Sequence, residues 1–197
     1  MPVVGITGRA GSGKSTVSRI LRSSGYIVID VDRVGHIALR DHSVKDRIRG
    51  LFGDSVFDES GKIDRSVLGG MVFGNPGKMA GLNGIVWPCM KQRLVLMVRA
   101  ACEKSNGKPV FVDAAVLFQA GFSEVCDKVV KIEADDEIRA GRLAERSGPE
   151  KAAKIMESQK DMENGISACD FIIGNNGSIE DLRTEVGRVA CEVTGKR

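Results

Sequence analysis

The sequence predicts an α/β protein built on a five-stranded parallel sheet flanked by helices, and three observations support this fold class. Five short apolar runs alternate with stretches of helical periodicity along the 197 residues. The runs are continuously apolar, as in parallel strands that are buried on both faces. A glycine-rich segment follows the first run and opens the first helix. In such sheets the ligand binds beyond the carboxyl ends of the strands.

The glycine-rich segment, residues Gly8–Thr16, satisfies the pattern G-x-x-x-x-G-K-[ST]. The apolar run Val3–Ile6 precedes it, and the amphipathic stretch Ser15–Leu21 follows it. An ordinary glycine turn is the alternative interpretation. The complete pattern between a strand and a helix favours a P-loop that binds a nucleoside triphosphate.

The chemistry of a P-loop explains these residue types. Glycines let the backbone curl so that its N–H groups face a phosphate, together with the start of the helix. The charge of Lys14 would lie at the β- and γ-phosphates, and the Ser15 hydroxyl would bind Mg²⁺. The residues expected to bind the nucleotide phosphates are Gly8, Gly11, Ser12, Gly13, Lys14, Ser15 and Thr16.

Carboxylates follow two further apolar runs. The second run ends in Asp30-Val31-Asp32, and the third ends in Asp113. Parallel strands place these ends at the edge that carries the P-loop. One of the first two carboxylates could cap the following helix, and we favour Asp32 as the functional one. If the second strand continues through Asp30 and Asp32, both side chains point to one side of the sheet. Asp113 is a candidate for Mg²⁺ binding, directly or through water, and a solvated strand end is its alternative.

A long block without strands separates the second and third runs. Residues 33–53 have helical periodicity, and Asp64 is expected to cap another helix. Residues 71–106 mix helical periodicity with breakers, and the segment Met90–Cys102 has an apolar stripe that is expected to enter the core. We expect residues 33–106, approximately, to form a helical insertion that holds a second substrate. The breakers are Gly74, Pro76, Gly84 and Pro88, and the stripe comprises Met90, Leu94, Met97, Val98 and Ala101.

Three arginines recur at helical spacing after the fourth run. Arg139, Arg142 and Arg146 are three and four residues apart and share a helix face. A solvated surface paired with nearby glutamates is one interpretation. In a phosphoryl-transfer enzyme the same arrangement supplies a charge clamp. The charged segment of residues 139–164, approximately, resembles a mobile helical lid.

Composition limits the class of protein. The net charge of +3 is small and dispersed, so we expect no nucleic-acid partner. Five cysteines without a C-x-x-C pair indicate free thiols in a reducing compartment. We find no apolar stretch long enough for a membrane span, and no signal peptide. We therefore expect a single cytoplasmic domain over residues 1–197, as a monomer or weak homo-oligomer.

The P-loop class is narrowed by what the sequence lacks. A GTPase should carry an N/T-K-x-D motif, and none is present. A transport or AAA-type ATPase would be longer, with an apolar run ending in Asp-Glu. A compact domain with an Asp after the second strand, a helical insertion and an arginine-bearing lid favours a small-molecule kinase.

The residues also carry a family resemblance. Gly5–Val17 and Val28–Asp32 resemble the opening of the dephospho-coenzyme A kinases, and the similarity continues in register over nearly the whole chain. The further matching stretches are Ile63–Arg65 with Leu68 and Val72–Phe73, Asp113 with Leu117–Phe118, Cys126–Val130, Arg139-x-x-Arg142-Leu143-x-x-Arg146, Gln159, Asp170–Ile173 and Asn175-x-Gly177-Ser178.

This resemblance implies transfer of the ATP γ-phosphate to the ribose 3′-hydroxyl of dephospho-coenzyme A, with Mg²⁺, giving coenzyme A. Asp32 would accept or orient the hydroxyl proton, and Lys14 would neutralise phosphate charge. Arg142 and Arg146 would close over the nucleotide, and Asn175 would be a nucleotide-binding residue. Closure would also exclude water.

Two positions depart from the family pattern. Trp87-Pro88 stands where the family usually has His-Pro. Residues 115–119, Ala-Val-Leu-Phe-Gln, stand where the family usually has Pro-Leu-Leu-Phe-Glu, so that Gln119 replaces the glutamate. Two other functions remain open. One is a kinase for another small hydroxyl acceptor, of the shikimate or nucleoside type. The other is an ATP-binding regulatory protein that has lost turnover.

Overall fold

The strands form one parallel sheet, as the apolar runs predict. The computed structural model describes residues 1–159 and 169–195, so residues 160–164 of the expected lid lie outside the described residues. The order of strands is β2-β3-β1-β4-β5, with the P-loop strand β1 in the centre. The strands are β1 (Val3–Thr7), β2 (Ile27–Asp30), β3 (Val110–Asp113), β4 (Lys128–Glu133) and β5 (Phe171–Gly174).

The helices alternate with these strands, apart from a block between β2 and β3. Short 3₁₀ turns at Asp54–Val56 and Phe122–Val125 complete the described elements. The helices are α1 (Lys14–Ser23), α2 (Val31–Ala38), α3 (His42–Phe52), α4 (Arg65–Val72), α5 (Pro76–Lys104), α6 (Asp136–Ser147), α7 (Pro149–Ser158) and α8 (Ile179–Val193).

The chain divides into two compact units. The first comprises Met1–Asp30 with Met97–Arg197, and the second is Val31–Leu96. In the first unit α1 and α8 cover one face of the sheet with a continuous apolar core. The buried members of that core are Val4, Ile6, Val17, Leu21, Phe111, Val130, Ile132, Ile173, Leu182, Val186, Val189 and Ala190.

The second unit contains α2, α3, α4 and most of α5. The expected helix over residues 33–53 is two helices, because Asp41 has an extended backbone and its carboxylate accepts from the Ser43 N–H at 3.0 Å. The same carboxylate pairs with Arg93 at 2.6 Å. Asp64 caps α4 as expected, accepting from the N–H groups of Ser66 and Val67.

The helix α5 continues through residues that were expected to interrupt it. Gly84 and Pro88 lie inside this 29-residue helix, so the prediction of breaks there is wrong. A proline removes one helical N–H donor, and packing on both sides of it can offset that loss. Pro76 is the first residue of α5, where the missing N–H costs nothing. Of the expected stripe, Met97 is exposed and the other members are buried.

The segment after β3 packs against the sheet. Leu117 is fully buried. A Cβ added to Gly5 of β1 would lie 2.7 Å from the Leu117 Cδ2 atom. The absence of a side chain at Gly5 therefore lets this segment pack directly on the central strand.

Within the described residues, no helix combines the length and the apolar character that a membrane span requires.

The five cysteines are free thiols in different surroundings. Burial raises the pKa of Cys126 to about 12, and its Sγ donates to the Phe122 carbonyl at 3.7 Å. Cys191 is exposed on α8. Because the thiolate is the reactive form, the two thiols should differ widely in their rate of reaction.

We expect a disulfide reagent at about pH 8 to modify Cys191 in the first kinetic phase and to leave Cys126 unmodified until the chain unfolds. Cys191→Ser should remove that first phase. Cys126→Ser, as the matched control, should leave it intact. Loss of the fast phase in Cys126→Ser would contradict the assignment.

Candidate active site

The P-loop connects β1 to α1 through backbone that only glycine adopts readily. Gly11 has φ +82° and Gly13 has φ +97°. A Cβ at Gly13 would lie 2.0 Å from the Asn175 Nδ2 atom, and one at Gly11 would lie 2.8 Å from the Arg139 carbonyl oxygen. These two glycines are therefore required both by backbone conformation and by the closeness of their neighbours.

Side chains from elsewhere in the first unit hold three successive carbonyl groups of the loop. In a trans peptide the C=O and the following N–H point in opposite directions, so each such contact also directs one N–H the other way. The contacts are Arg139 Nε to Ala10 O at 3.0 Å, Arg142 Nη1 to Gly11 O at 3.3 Å, and Asn175 Nδ2 to Ser12 O at 2.8 Å.

This arrangement makes the loop an anion-binding concavity. The first N–H groups of a helix have no helical acceptor, and the helix dipole adds positive potential at that end. In α1 the N–H groups of Thr16 and Val17 already donate to the Gly13 carbonyl. Lys14, the first residue of α1, adds a full charge. The local sequence therefore folds into the strand, glycine loop and helix of a P-loop, as its pattern predicts, and phosphate binding there stays a prediction.

Lys14 is already paired in this structure. Its Nζ donates to Asp113 Oδ1, and the Ser18 hydroxyl donates to Asp113 Oδ2 at 2.6 Å. Asp113 ends β3, which pairs with β1 so that Asp113 lies beside Ile6. The carboxylate expected near the phosphates is thus in contact with the P-loop lysine, and both of its oxygens accept hydrogen bonds.

The two carboxylates after β2 occupy different elements. Asp30 ends β2 and lies in register with Asp113 on the neighbouring strand. Asp32 is exposed in the first turn of α2, because the strand ends at Asp30. The condition under which both side chains would point to one side of the sheet, a strand that continues through Asp32, is therefore not met. Asp32 belongs to the second unit, and its part in catalysis stays a prediction.

The three arginines of α6 differ in exposure. Arg139 is only 3 % exposed and pairs with Asp136 at 2.6 Å, so it is not the solvated side chain of the surface interpretation. Arg142 is half-buried and also donates from Nη2 to the Asn175 carbonyl at 3.1 Å. Arg146 is exposed. The helical spacing in the sequence does not reveal these three environments.

The side chain of Asn175, expected to bind nucleotide, contacts the P-loop backbone. Asn175 is 6 % exposed, and its N–H donates to the Glu133 carbonyl at 2.8 Å. It follows β5 as Glu133 ends β4, so two neighbouring strand ends fix its position. Its side-chain amide therefore holds the P-loop at the Ser12 carbonyl.

Gln159 is a site residue to which sequence reasoning gave no role. Its Oε1 accepts from the Ala10 N–H at 2.8 Å across 149 positions of sequence. Gln159 was part of the family pattern, but no local periodicity predicts a contact over that separation. Only the packing of α6 and α7 reveals it.

Two cavities adjoin the P-loop in the first unit. The larger, about 330 Å³, lies at the ends of β4 and β5 and includes Ser12, whose buried hydroxyl has no hydrogen-bond partner among the described residues. Its other lining residues include Arg9, Lys131, Glu133, Asp135, Asp136, Arg139, Gly174 and Asn176. The smaller, of about 20 Å³, is lined by Gly8, Ala115, Phe118, Gln119 and Gln159 among others. Gln119 therefore lies beside the start of the loop.

Comparison with known proteins agrees with this geometry. The family model described as Dephospho-CoA kinase matches residues 2–181. A dephospho-CoA kinase of Fusobacterium nucleatum is 36% identical over 192 residues, covering 96% of this chain and 97% of the relative. One of Dehalococcoides mccartyi is 34% identical, with 98% of each chain covered.

Solved structures give the same result. The structure of TT1252 from Thermus thermophilus is 31% identical, with a TM-score of 0.78 and 97% of each chain covered. A dephospho-CoA kinase from Campylobacter jejuni is 27% identical, with a TM-score of 0.73, covering 98% of this chain and 97% of that one. A shikimate kinase from Bacteroides thetaiotaomicron, at 15% identity and a TM-score of 0.55, shares the fold.

Three findings agree. The P-loop lysine contacts a strand-end carboxylate, an arginine of α6 contacts the loop, and the family model matches residues 2–181. The chain belongs to the dephospho-CoA kinase family, the kinases that carry out the last step of coenzyme A biosynthesis.

Proposed function

We propose that this chain transfers the γ-phosphoryl group of ATP to the ribose 3′-hydroxyl of dephospho-coenzyme A, giving coenzyme A and ADP. The observation that carries the proposal is the contact of Lys14, at the start of α1, with Asp113, at the end of β3. That contact places the loop's cation at the strand edge where phosphoryl transfer is expected.

The P-loop would bind the β- and γ-phosphates through its inward N–H groups and Lys14. Charge spreads over the equatorial oxygens of the transferred group in the transition state, so fixed donors stabilise it without reorganisation. Lys14 would exchange Asp113 for phosphate oxygens as the nucleotide binds.

Mg²⁺ fits the oxygen donors that the loop offers. The Ser15 hydroxyl is exposed in the first turn of α1, and both Asp113 oxygens already accept hydrogen bonds. We therefore assign Ser15 as the direct ligand and Asp113 as a ligand through water. When bound, the ion would neutralise charge on the phosphates. A group of three or more His, Cys, Asp or Glu side chains suited to a metal is absent from the described residues.

Two helical segments would supply the binding site for the acceptor and a lid that closes over the nucleotide. Residues 33–106, approximately, would hold dephospho-coenzyme A, and residues 139–164 would act as the lid. Arg146 is exposed and Arg142 reaches the loop backbone, which supports a role for both in closing over the nucleotide. Water exclusion by the lid would limit ATP hydrolysis.

Asp32 would accept or orient the proton of the attacking hydroxyl. Phosphoryl transfer requires little nucleophile activation, so orientation is the larger part of this role. Its exposed position in the first turn of α2 leaves the carboxylate accessible to an acceptor.

We also propose that the enzyme acts in the cytoplasm as a monomer or weak homo-oligomer, without a nucleic-acid partner. The small and dispersed net charge of +3 supports the last point.

The first test is acceptor-dependent ATP consumption by the purified chain with Mg²⁺. We expect coenzyme A to form, identified by mass, at about 1–100 turnovers per second when dephospho-coenzyme A is present. Shikimate and nucleosides serve as competing acceptors in the same assay. ATP binding without turnover on dephospho-coenzyme A would contradict the proposal and implicate Trp87 and Gln119.

The role of Asp32 is tested against that of Asp30. Asp32→Asn should lower kcat about a hundredfold or more while ATP affinity stays nearly unchanged, because the neutral amide neither accepts the proton nor orients the hydroxyl through a charged acceptor. Asp30→Asn is the matched change two residues earlier and should have a smaller effect on kcat. An Asp32→Asn enzyme with the kcat of the parent would remove Asp32 from the mechanism.

A further inference from the structure

Both backbone groups of Ala10 are bound by side chains from the α6–α7 region. The Ala10 N–H donates to Gln159 Oε1 at 2.8 Å, and its carbonyl accepts from Arg139 Nε at 3.0 Å. The preceding carbonyl, of Arg9, accepts from the Ser12 N–H at 3.1 Å. The Arg9–Ala10 peptide is therefore held at both of its polar groups.

Arg139 and Gln159 are also joined to each other. Arg139 Nη2 donates to Gln159 Oε1 at 3.5 Å, and Arg139 Nη1 donates to Asp136. Arg139 is 3 % exposed, and each of its three guanidinium nitrogens donates to an acceptor of the chain itself. These contacts give Arg139 a structural task at the loop backbone.

The loop needs such restraint because glycine follows Ala10. Gly11 has φ +82° and no side chain, so the peptide between Ala10 and Gly11 can rotate at little steric cost. Rotation of that peptide would turn its N–H away from a bound phosphate and its carbonyl toward it. The Arg139 contact on the Ala10 carbonyl opposes this rotation directly, and the Gln159 contact on the Ala10 N–H fixes the Arg9–Ala10 peptide that precedes it.

We propose that Gln159 and Arg139 are positioning residues. They hold the two peptide groups on either side of Ala10, so that the P-loop N–H groups are oriented for phosphate before the nucleotide arrives. The inference rests on the proposed function, since it concerns ATP binding at this loop. Neither residue needs to touch the nucleotide. Their contribution is to keep the loop in one conformation, which lowers the ordering cost of binding.

Gln159 offers the cleaner test, since replacing the buried Arg139 would leave Asp136 without its partner. Gln159→Met keeps the length of the side chain and removes the acceptor. One lost hydrogen bond predicts that the Kd for ADP, measured by calorimetry, and the KM for ATP rise by about three- to tenfold. The KM for dephospho-coenzyme A should stay unchanged, which a general loss of structure would not produce.

Gln159→Glu is the conservative variant, because a carboxylate oxygen still accepts from the Ala10 N–H and pairs with Arg139. It should bind ADP within about threefold of the parent. Arg183→Met removes an exposed polar side chain from α8 and should match the parent. Melting temperatures verify folding, and Gln159→Ala replaces the Met variant, with the same expectation, if that variant does not fold.

Parent-like ADP binding by Gln159→Met, or a Gln159→Glu variant no better than Gln159→Met, would overturn the inference. Failure of the proposed function would be seen differently, as a parent enzyme without acceptor-dependent turnover. The ADP titration needs no acceptor and therefore still tests Gln159 in that case.

Discussion

The direction of a few peptide groups in the P-loop is the constraint on which the site depends. Three carbonyl groups of the loop face outward and accept hydrogen bonds from two α6 arginines and from Asn175 after β5. The N–H groups of the same three peptides therefore point the opposite way, and one of them, that of Ser12, donates to the Arg9 carbonyl. The sheet supplies this geometry, because parallel strands bring the loop and the ends of β4 and β5 to one edge.

Much of the fold could be predicted from the sequence because its signals are local. Each apolar run became a strand, and the caps at Asp64 and Gly25 act where capping preferences place them. The α5 helix could not be predicted in full, since Gly84 and Pro88 have poor helical propensity. Packing of residues such as Leu94, which is fully buried, overrides that propensity.

The positions of the P-loop residues could be predicted from the sequence, and those of the side chains that hold the loop could be predicted less well. Lys14 and Asp113 meet as their motif and strand position suggest. The side chain of Gln159 and the burial of Arg139 depend on contacts across more than a hundred residues, which no periodicity records. Asp32 illustrates another limit: a difference of two residues in the end of β2 moves it from a strand to a helix.

The pairing of Lys14 with Asp113 also affects which anions the P-loop can hold. An incoming anion must replace a carboxylate that already neutralises the lysine, so the gain in Coulomb energy is only a difference between two ion pairs. A small monoanion, which reaches few loop N–H groups, gains little from this exchange. A triphosphate engages many donors at once and gains from all of them. The site thus discriminates against the common salts of its surroundings without any steric barrier.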